Sequence, residues 1–243
     1  MKVGTITSAN SKVVIQSDIA KIGFRFKYAL GGVFTQALAL SKWVGLVQKI
    51  DIITYLPSGS IQTAYKLPFN AVAEIGAFDE SSVEIIQSVT ANFAEAFGSI
   101  EITTGGTLDL GESQIHVEVS GLAVGEEIHI YALDMPVRAS NMLKYELERI
   151  EANVPKRIDL GNAISIAVNE KVIKIDALVE NGVRNIYDAD EIRIINNEVN
   201  DTAINVSGLA MQAGFYRCFP VNIHENATIY ADSATEIVVV RVI

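Results

Sequence analysis

The chain has 243 residues, 49% of them hydrophobic and 20% charged, with a formal net charge of −10 and a mean hydropathy of +0.29. The acidic balance, spread along the chain without an acidic tail, repels phosphate backbones and argues against direct nucleic-acid binding. No window reaches the roughly 18 to 20 uninterrupted apolar residues of a spanning helix, and the length suits one large β domain or two of about 110 residues each.

The N-terminal segment 1–11 carries Lys2 and then Thr, Ser and Asn without an apolar stretch, so no secretory signal is read and synthesis in a cytoplasm is expected. Residues 13–28 carry β-branched and aromatic side chains, and 21–28 alternate polar and apolar in strict turn, which predicts a half-buried strand. Residues 29–47 form the most apolar stretch, broken by Gly31, Gly32, Gln36, Ser41 and Lys42. Segments 43–56 and 60–67 flank Pro57-Ser58-Gly59 and predict a hairpin. Ser81-Ser82-Val83-Glu84 has the pattern of a capping box, and Ile86, Val89, Phe93 and Phe97 recur at helical spacing up to Gly98, predicting an amphipathic helix over 80–97.

Strands are predicted at 99–104, 114–119 and 127–132, the last two alternating cleanly and reading as neighbours in one sheet. Ser140, the stripe Met142, Leu143, Leu147 and Ile150, and the stop at Asn153-Val154-Pro155 predict a second helix. From Ile158 onward strands are predicted at 163–168, 171–179, 191–195, 203–206, 215–221, 227–231 and 236–243. Short strands at this spacing signal sandwiches or barrels. The fold class is therefore mainly β: a first β-sandwich module over 1–138 with an inserted helix near 80–97, a helical connector over 139–155, and a second β-sandwich module over 156–243. A faint echo accompanies this division: 108–111, 120–123 and 130–132 are matched in order by 158–161, 207–210 and 229–231.

Residues able to do chemistry are sparse. His116, His129 and His224 stand apart, and although His116 and His129 lie in alternating strands, no Cys, Asp or second His sits at ligand spacing. Cys218 is single and reads as a small buried hydrophobe. Gly31-Gly32 and Gly105-Gly106 lack the spacing and the following Lys of a phosphate loop and read as turns. Asp188, Asp190 and Glu191, with Glu198 and Asp201 beyond, offer oxygen ligands for Ca²⁺ but not the EF-hand pattern, and read as a solvated loop. Three glycosylation patterns begin at Asn200, Asn205 and Asn226 and matter only in a secretory pathway. The sequence thus nominates no catalytic, cofactor-binding or metal-ligating residue, and no cofactor. Its excess of Ala, Val and Ile points instead to surface buried between copies, since obligate interfaces resemble a domain core cut in half.

The stretch Lys42-Trp43-Val44-Gly45-Leu46-Val47-Gln48-Lys49-Ile50-Asp51-Ile52-Ile53, the hairpin after it and the helix expected at 80–97, within two β-modules of one chain, resemble the double jelly-roll major capsid proteins of tailless, membrane-containing icosahedral bacteriophages. That resemblance implies homotrimers with pseudo-hexagonal outlines, rolls standing upright on a shell, other capsid proteins as partners, and an inner face near a lipid membrane. The leading expectation is a non-enzymatic virion structural protein that self-assembles into a capsid in the host cytoplasm. Trp43, Ile86, Val89 and Phe93 are expected in the first core, and Leu143, Leu147 and Ile150 between modules. A carbohydrate- or receptor-binding sandwich, such as a spike component, is the alternative, with Tyr55, Tyr65, Tyr187 and Tyr216 as its platform. An enzyme of the metal-holding jelly-roll kind would need the three histidines to converge.

Overall fold

A computed structural model describes residues 1–76, 83–179, 183–192, 194, 204–207, 209–211, 217–220 and 224–243. The protein is mainly β and divides into two compact units, Met1–Met142 with Thr202–Ala213, and Leu143–Asp201 with Gly214–Ile243. The first unit contains β1 (Lys2–Thr7), β2 (Lys12–Ile15), β3 (Lys21–Ala29), α1 (Gln36–Val44), β4 (Lys49–Tyr55), β5 (Ile61–Pro68), α2 (Phe69–Gly76), β6 (Glu84–Gln87), β7 (Phe93–Glu101), β8 (Gln114–Ser120) and β9 (Glu127–Leu133). The second contains β10 (Leu143–Ile150), β11 (Lys156–Asp159), β12 (Ala163–Val168), β13 (Val172–Val179) and β14 (Arg184–Asp188). After β15 (Ile204–Val206) and β16 (Leu209–Met211), which return to the first unit, it closes with β17 (Arg217–Pro220), β18 (His224–Ala231) and β19 (Thr235–Val242).

The strand order repeats. In the first unit one sheet runs β1-β9-β3-β7 and continues through β6, β15 and β16, while the other runs β2-β8-β4-β5. In the second unit the sheets run β10-β19-β12-β17 and β11-β18-β13-β14. Setting β6, β15 and β16 aside, each unit pairs its first strand with its last, its second with its last but one, and its fourth with its fifth. This is the eight-stranded jelly-roll order, built from two Greek keys. The second unit is a complete roll.

Period-two patterning explains why these strands close on apolar cores. In β8 and β9 every second residue is buried, giving Ile115, Val117 and Val119 on one and Ile128, Ile130 and Ala132 on the other. The hairpin expected at the Pro57-Ser58-Gly59 turn forms, with β4 antiparallel to β5 and Gly59 at φ +82°. The second core joins Ile166, Val168, Ile237 and Val239 of one sheet to Ile158, Ile175, Ala177 and Ile229 of the other. In the first core Trp43 is fully buried as expected, its ring 6.4 Å from Phe24, 6.0 Å from Tyr28 and 6.3 Å from Phe69.

Several expectations are overturned. The helix expected over 80–97 is, in its described part, the antiparallel pair β6 and β7, with Asn92 in the left-handed region at the turn. Val83 and Ile85 point inward, Ile86 and Phe93 are half-buried and Val89 is fully exposed, so the expected stripe does not exist. Gly98, taken as a helix stop, lies within β7, where a Cβ would meet the Phe24 ring at 2.7 Å. The helical connector expected within 139–155 is strand β10, paired along its whole length with β19. Residue 43 begins no strand but lies in the last turn of α1, whose N-cap Thr35 accepts a hydrogen bond from the Leu38 amide. Glu191 and Ile192 belong to a helical turn over 189–192 rather than a strand. β8 and β9 are not neighbours but lie in different sheets. The peptide echo also falls on non-equivalent strands, since 130–132 lies in β9, the last strand of its roll, and 229–231 in β18, the last but one. The repetition is of topology, not of those motifs.

Candidate functional site

On the outer face of the larger sheet in the first unit, charged and aromatic residues form rungs across β9, β3 and β7. Arg25 on β3 donates from Nε to Glu95 Oε2 at 2.9 Å and from Nη2 to Glu95 Oε1 at 2.8 Å, and Ser88 Oγ donates to the same Oε1 at 2.9 Å. Lys21 pairs with Glu101 at 2.5 Å, and Lys27 lies over the Phe93 ring at 4.8 Å. The register sets His129 opposite Arg25, with its Nε2 at 3.8 Å from Glu127. Burial, with Lys2 and Arg25 nearby, holds the His129 pKa below its ordinary value. The hydrogen bonds from Arg25 hold Glu95 below the usual carboxylate range, against the opposing effect of burial.

A pH dependence follows. A carboxylate whose pKa is depressed by folding contributes stability above its unfolded pKa of about 4.3 and loses it as pH falls through the folded value. Glu95→Gln is therefore expected to lower the urea midpoint of the first unit at pH 7, and the gap to the wild type should shrink on acidification below about pH 4. An undiminished gap at pH 3 would show that Glu95 acts through packing and not through its charge.

On the outer face of the smaller sheet, the His116 ring lies 4.4 Å from that of Tyr55, its Nε2 is 3.3 Å from Gln114 Oε1, and Lys12 pairs with Glu118 at 3.5 Å. Burial foremost, then Lys12, lowers the His116 pKa, against the opposing effect of Glu118. Because β8 and β9 lie in different sheets, His116 and His129 do not face one another across a ladder, and His224 belongs to β18 of the second unit. Among the described residues, no group of three or more His, Cys, Asp or Glu is placed to hold a metal ion.

The other candidates have local explanations. The Asp188 Oδ1 accepts from the amides of Asp190 and Glu191 at 2.9 Å each, and Glu191 Oε2 accepts from the Asp188 amide at 3.0 Å. That reciprocal pattern is a capping box on the helical turn. Glu198 and Asp201 lie outside the described residues. Gly31 and Gly105 adopt positive φ in turns, and at Gly106 a Cβ would meet backbone atoms of 137–139 at 2.9 Å. Of the tyrosines, Tyr65 is buried on the inner face with its pKa raised by burial, Tyr55 packs on His116, Tyr187 packs half-buried against the second core, and Tyr216 lies outside the described residues. No platform unites them.

One polar group central to the first unit was not nominated from the sequence. Glu126, buried in the turn before β9, accepts from the Ala29 amide at 3.0 Å through Oε1, and from the Ala123 amide at 2.8 Å and Gln48 Nε2 at 3.1 Å through Oε2. Gln48 Nε2 also reaches the Gly121 carbonyl at 3.3 Å. One carboxylate thus fastens the end of β3, the start of β4 and the β8–β9 turn. In sequence it is only the first of two glutamates after a glycine, with nothing to mark it as the inward one. In the second unit, Arg241 plays a comparable fastening role, donating to Glu146 Oε2 at 2.6 Å and to the carbonyls of Asp159 and Gly161.

No family model matches the chain, and no curated protein matches it. Among solved structures, the cupin 2 conserved barrel domain protein from Leptotrichia buccalis aligns with 100% of this chain and 91% of its own, at 8% identity and a TM-score of 0.22. The protein YhaK from Escherichia coli aligns with 99% and 91%, at 9% identity and a TM-score of 0.22. Likenesses of that strength assign neither an activity nor a ligand.

Proposed function

We propose that this chain is a structural subunit of an icosahedral virion, a double jelly-roll capsid protein that associates with copies of itself and has no enzymatic role. The observation that carries the reading is the repeated strand order: two complete eight-stranded rolls follow one another in a single chain. A chain of two like rolls gives a trimer six like rolls around its axis. Such a near-sixfold outline tiles a shell with few kinds of contact. The high apolar content, in a chain where no helix among the described residues is long and apolar enough to cross a membrane, agrees with surface reserved for neighbouring subunits. Other capsid proteins and a lipid membrane beneath the shell are the further partners in this reading. Nucleic acid is not a partner, and the place of action is the virion, assembled in the host cytoplasm.

Native mass measurement of the purified chain, with electron microscopy of concentrated samples, tests this. Trimers or closed particles are the expected result. A protomer that remains alone at every concentration and is retained on a glycan array would replace the shell reading with a carbohydrate-binding one.

A further inference from the structure

The jelly-roll order brings four connections of the first unit to one end: 8–11 between β1 and β2, 30–48 between β3 and β4 with α1 inside it, 88–92 leading into β7, and 121–126 between β8 and β9. Backbone hydrogen bonds hold them, from Val119 N near the end of β8 to Ser11 O at 3.0 Å and from Leu30 N to Asn92 O at 2.8 Å, and Glu126 and Gln48 fasten the remainder. At this end Val33, Val47, Val89 and Val124 are each at least 79% exposed, and Val44 is 43% exposed. The four segments hold two charged side chains, Lys42 and the buried Glu126, in a chain where 20% of residues are charged. The second unit provides an internal comparison, because its matching connections before β11, β13 and β19 expose Glu151, Glu170, Lys171 and Asp232. Topology alone therefore does not demand an uncharged end.

We infer that the valine-bearing end of the first unit is the surface on which a second copy of this chain docks. The inference rests on the self-assembly reading above and assigns it a place. With a net charge of −10, two copies approaching through most of their surface set carboxylates against carboxylates. At this end that opposition is absent. Valine is stiff about χ1 and the segments are already fastened, so burying them forfeits little conformational freedom. A lipid surface is a poorer occupant: interfacial anchors combine cations with large apolar or aromatic side chains, whereas here Trp43 is fully buried and the most exposed apolar side chains are valines.

The test compares wild type with Val47→Asp/Val124→Asp and with Val154→Asp, an exposed valine of the second unit, by sedimentation over a range of protein concentrations. The double variant should raise the concentration for half-assembly by about tenfold or more, with the melting temperature of the protomer unchanged and the Val154 variant like wild type. Val33→Asp/Val89→Asp, at two other positions of the same end, should repeat the effect and guards against a folding defect in the first pair. Assembly of both double variants at wild-type concentrations overturns this docking surface while leaving the shell reading intact. A wild-type chain that never associates overturns both. Binding of wild type to phosphatidylcholine vesicles that both double variants abolish, with assembly untouched, gives the surface to lipid and overturns it too.

Discussion

Trp43→Ala is expected to cost the first unit about 3–5 kcal/mol, the range for deleting a fully buried large aromatic side chain. The indole is 0% exposed, sits among Phe24, Tyr28 and Phe69, and donates from Nε1 to Glu74 Oε1 on α2 at 3.0 Å. Its removal therefore leaves a cavity and withdraws a donor from a buried carboxylate. Trp43→Phe keeps part of the volume and should cost less, about 1–3 kcal/mol. Because Trp43 is the only tryptophan, wild-type fluorescence reports on the first unit alone, and the variants can be followed by far-UV circular dichroism in urea. A loss below about 1 kcal/mol for Trp43→Ala would mean that α1 is not held by this side chain.

Glu126→Ala should be comparably damaging, about 3 kcal/mol or more, because it strands three donors that one buried carboxylate now satisfies. The more telling readout is local. Amide hydrogen exchange at Ala29 and Ala123 should accelerate strongly, while Ile115 and Val117 in the middle of β8 keep their protection. Glu126→Gln retains the shape but turns an acceptor into a donor facing other donors, so it should lie between wild type and the alanine variant. Unchanged exchange at Ala29 and Ala123 in Glu126→Ala would show that the turns hold without the carboxylate.

The strands that read correctly from the sequence are those with one dry and one half-wet face. Ile115, Val117 and Val119 alternate with Gln114, His116 and Glu118, and nothing but a half-buried strand fits that period. The two misread segments satisfied both periods. Leu143, Leu147 and Ile150 recur at helical spacing, yet Leu143 and Tyr145 also alternate with Lys144 and Glu146, and pairing with β19 decides for the strand. Lys144 and Glu146 are half-buried in the structure, where Lys144 and Arg241 hold Glu146. In 84–97 the apolar spacing spans a turn at Asn92, so residues that a helix would align lie on two strands.

The true helices gave weaker signals. α1 has a proper cap in Thr35, but it sits inside the apolar run that invites a membrane or strand reading. From Phe69 to Ile75 α2 is buried all round, even at Asn70 and Glu74, so no amphipathic pattern announces it. The buried carboxylate Glu126 was illegible for a different reason: its role depends on amides from residues 3 and 97 positions away. The shell reading drew on composition, and composition is silent about where neighbours meet.

The pairing of first strand with last has a consequence for the birth of the molecule. β1 finds its partner only when β9 has left the ribosome, and β10 only when β19 has, so neither sandwich can shut before its final strand is synthesised. Translation is slow beside the folding of a domain, so the earlier roll has time to close while the later one is still being made. The nascent chain then sets Val206 against a sheet already standing, through Ser207 N and Ile85 O at 2.8 Å. The last piece of the older sandwich is thus delivered from within the sequence of the younger, and the order of manufacture is written into the order of the strands.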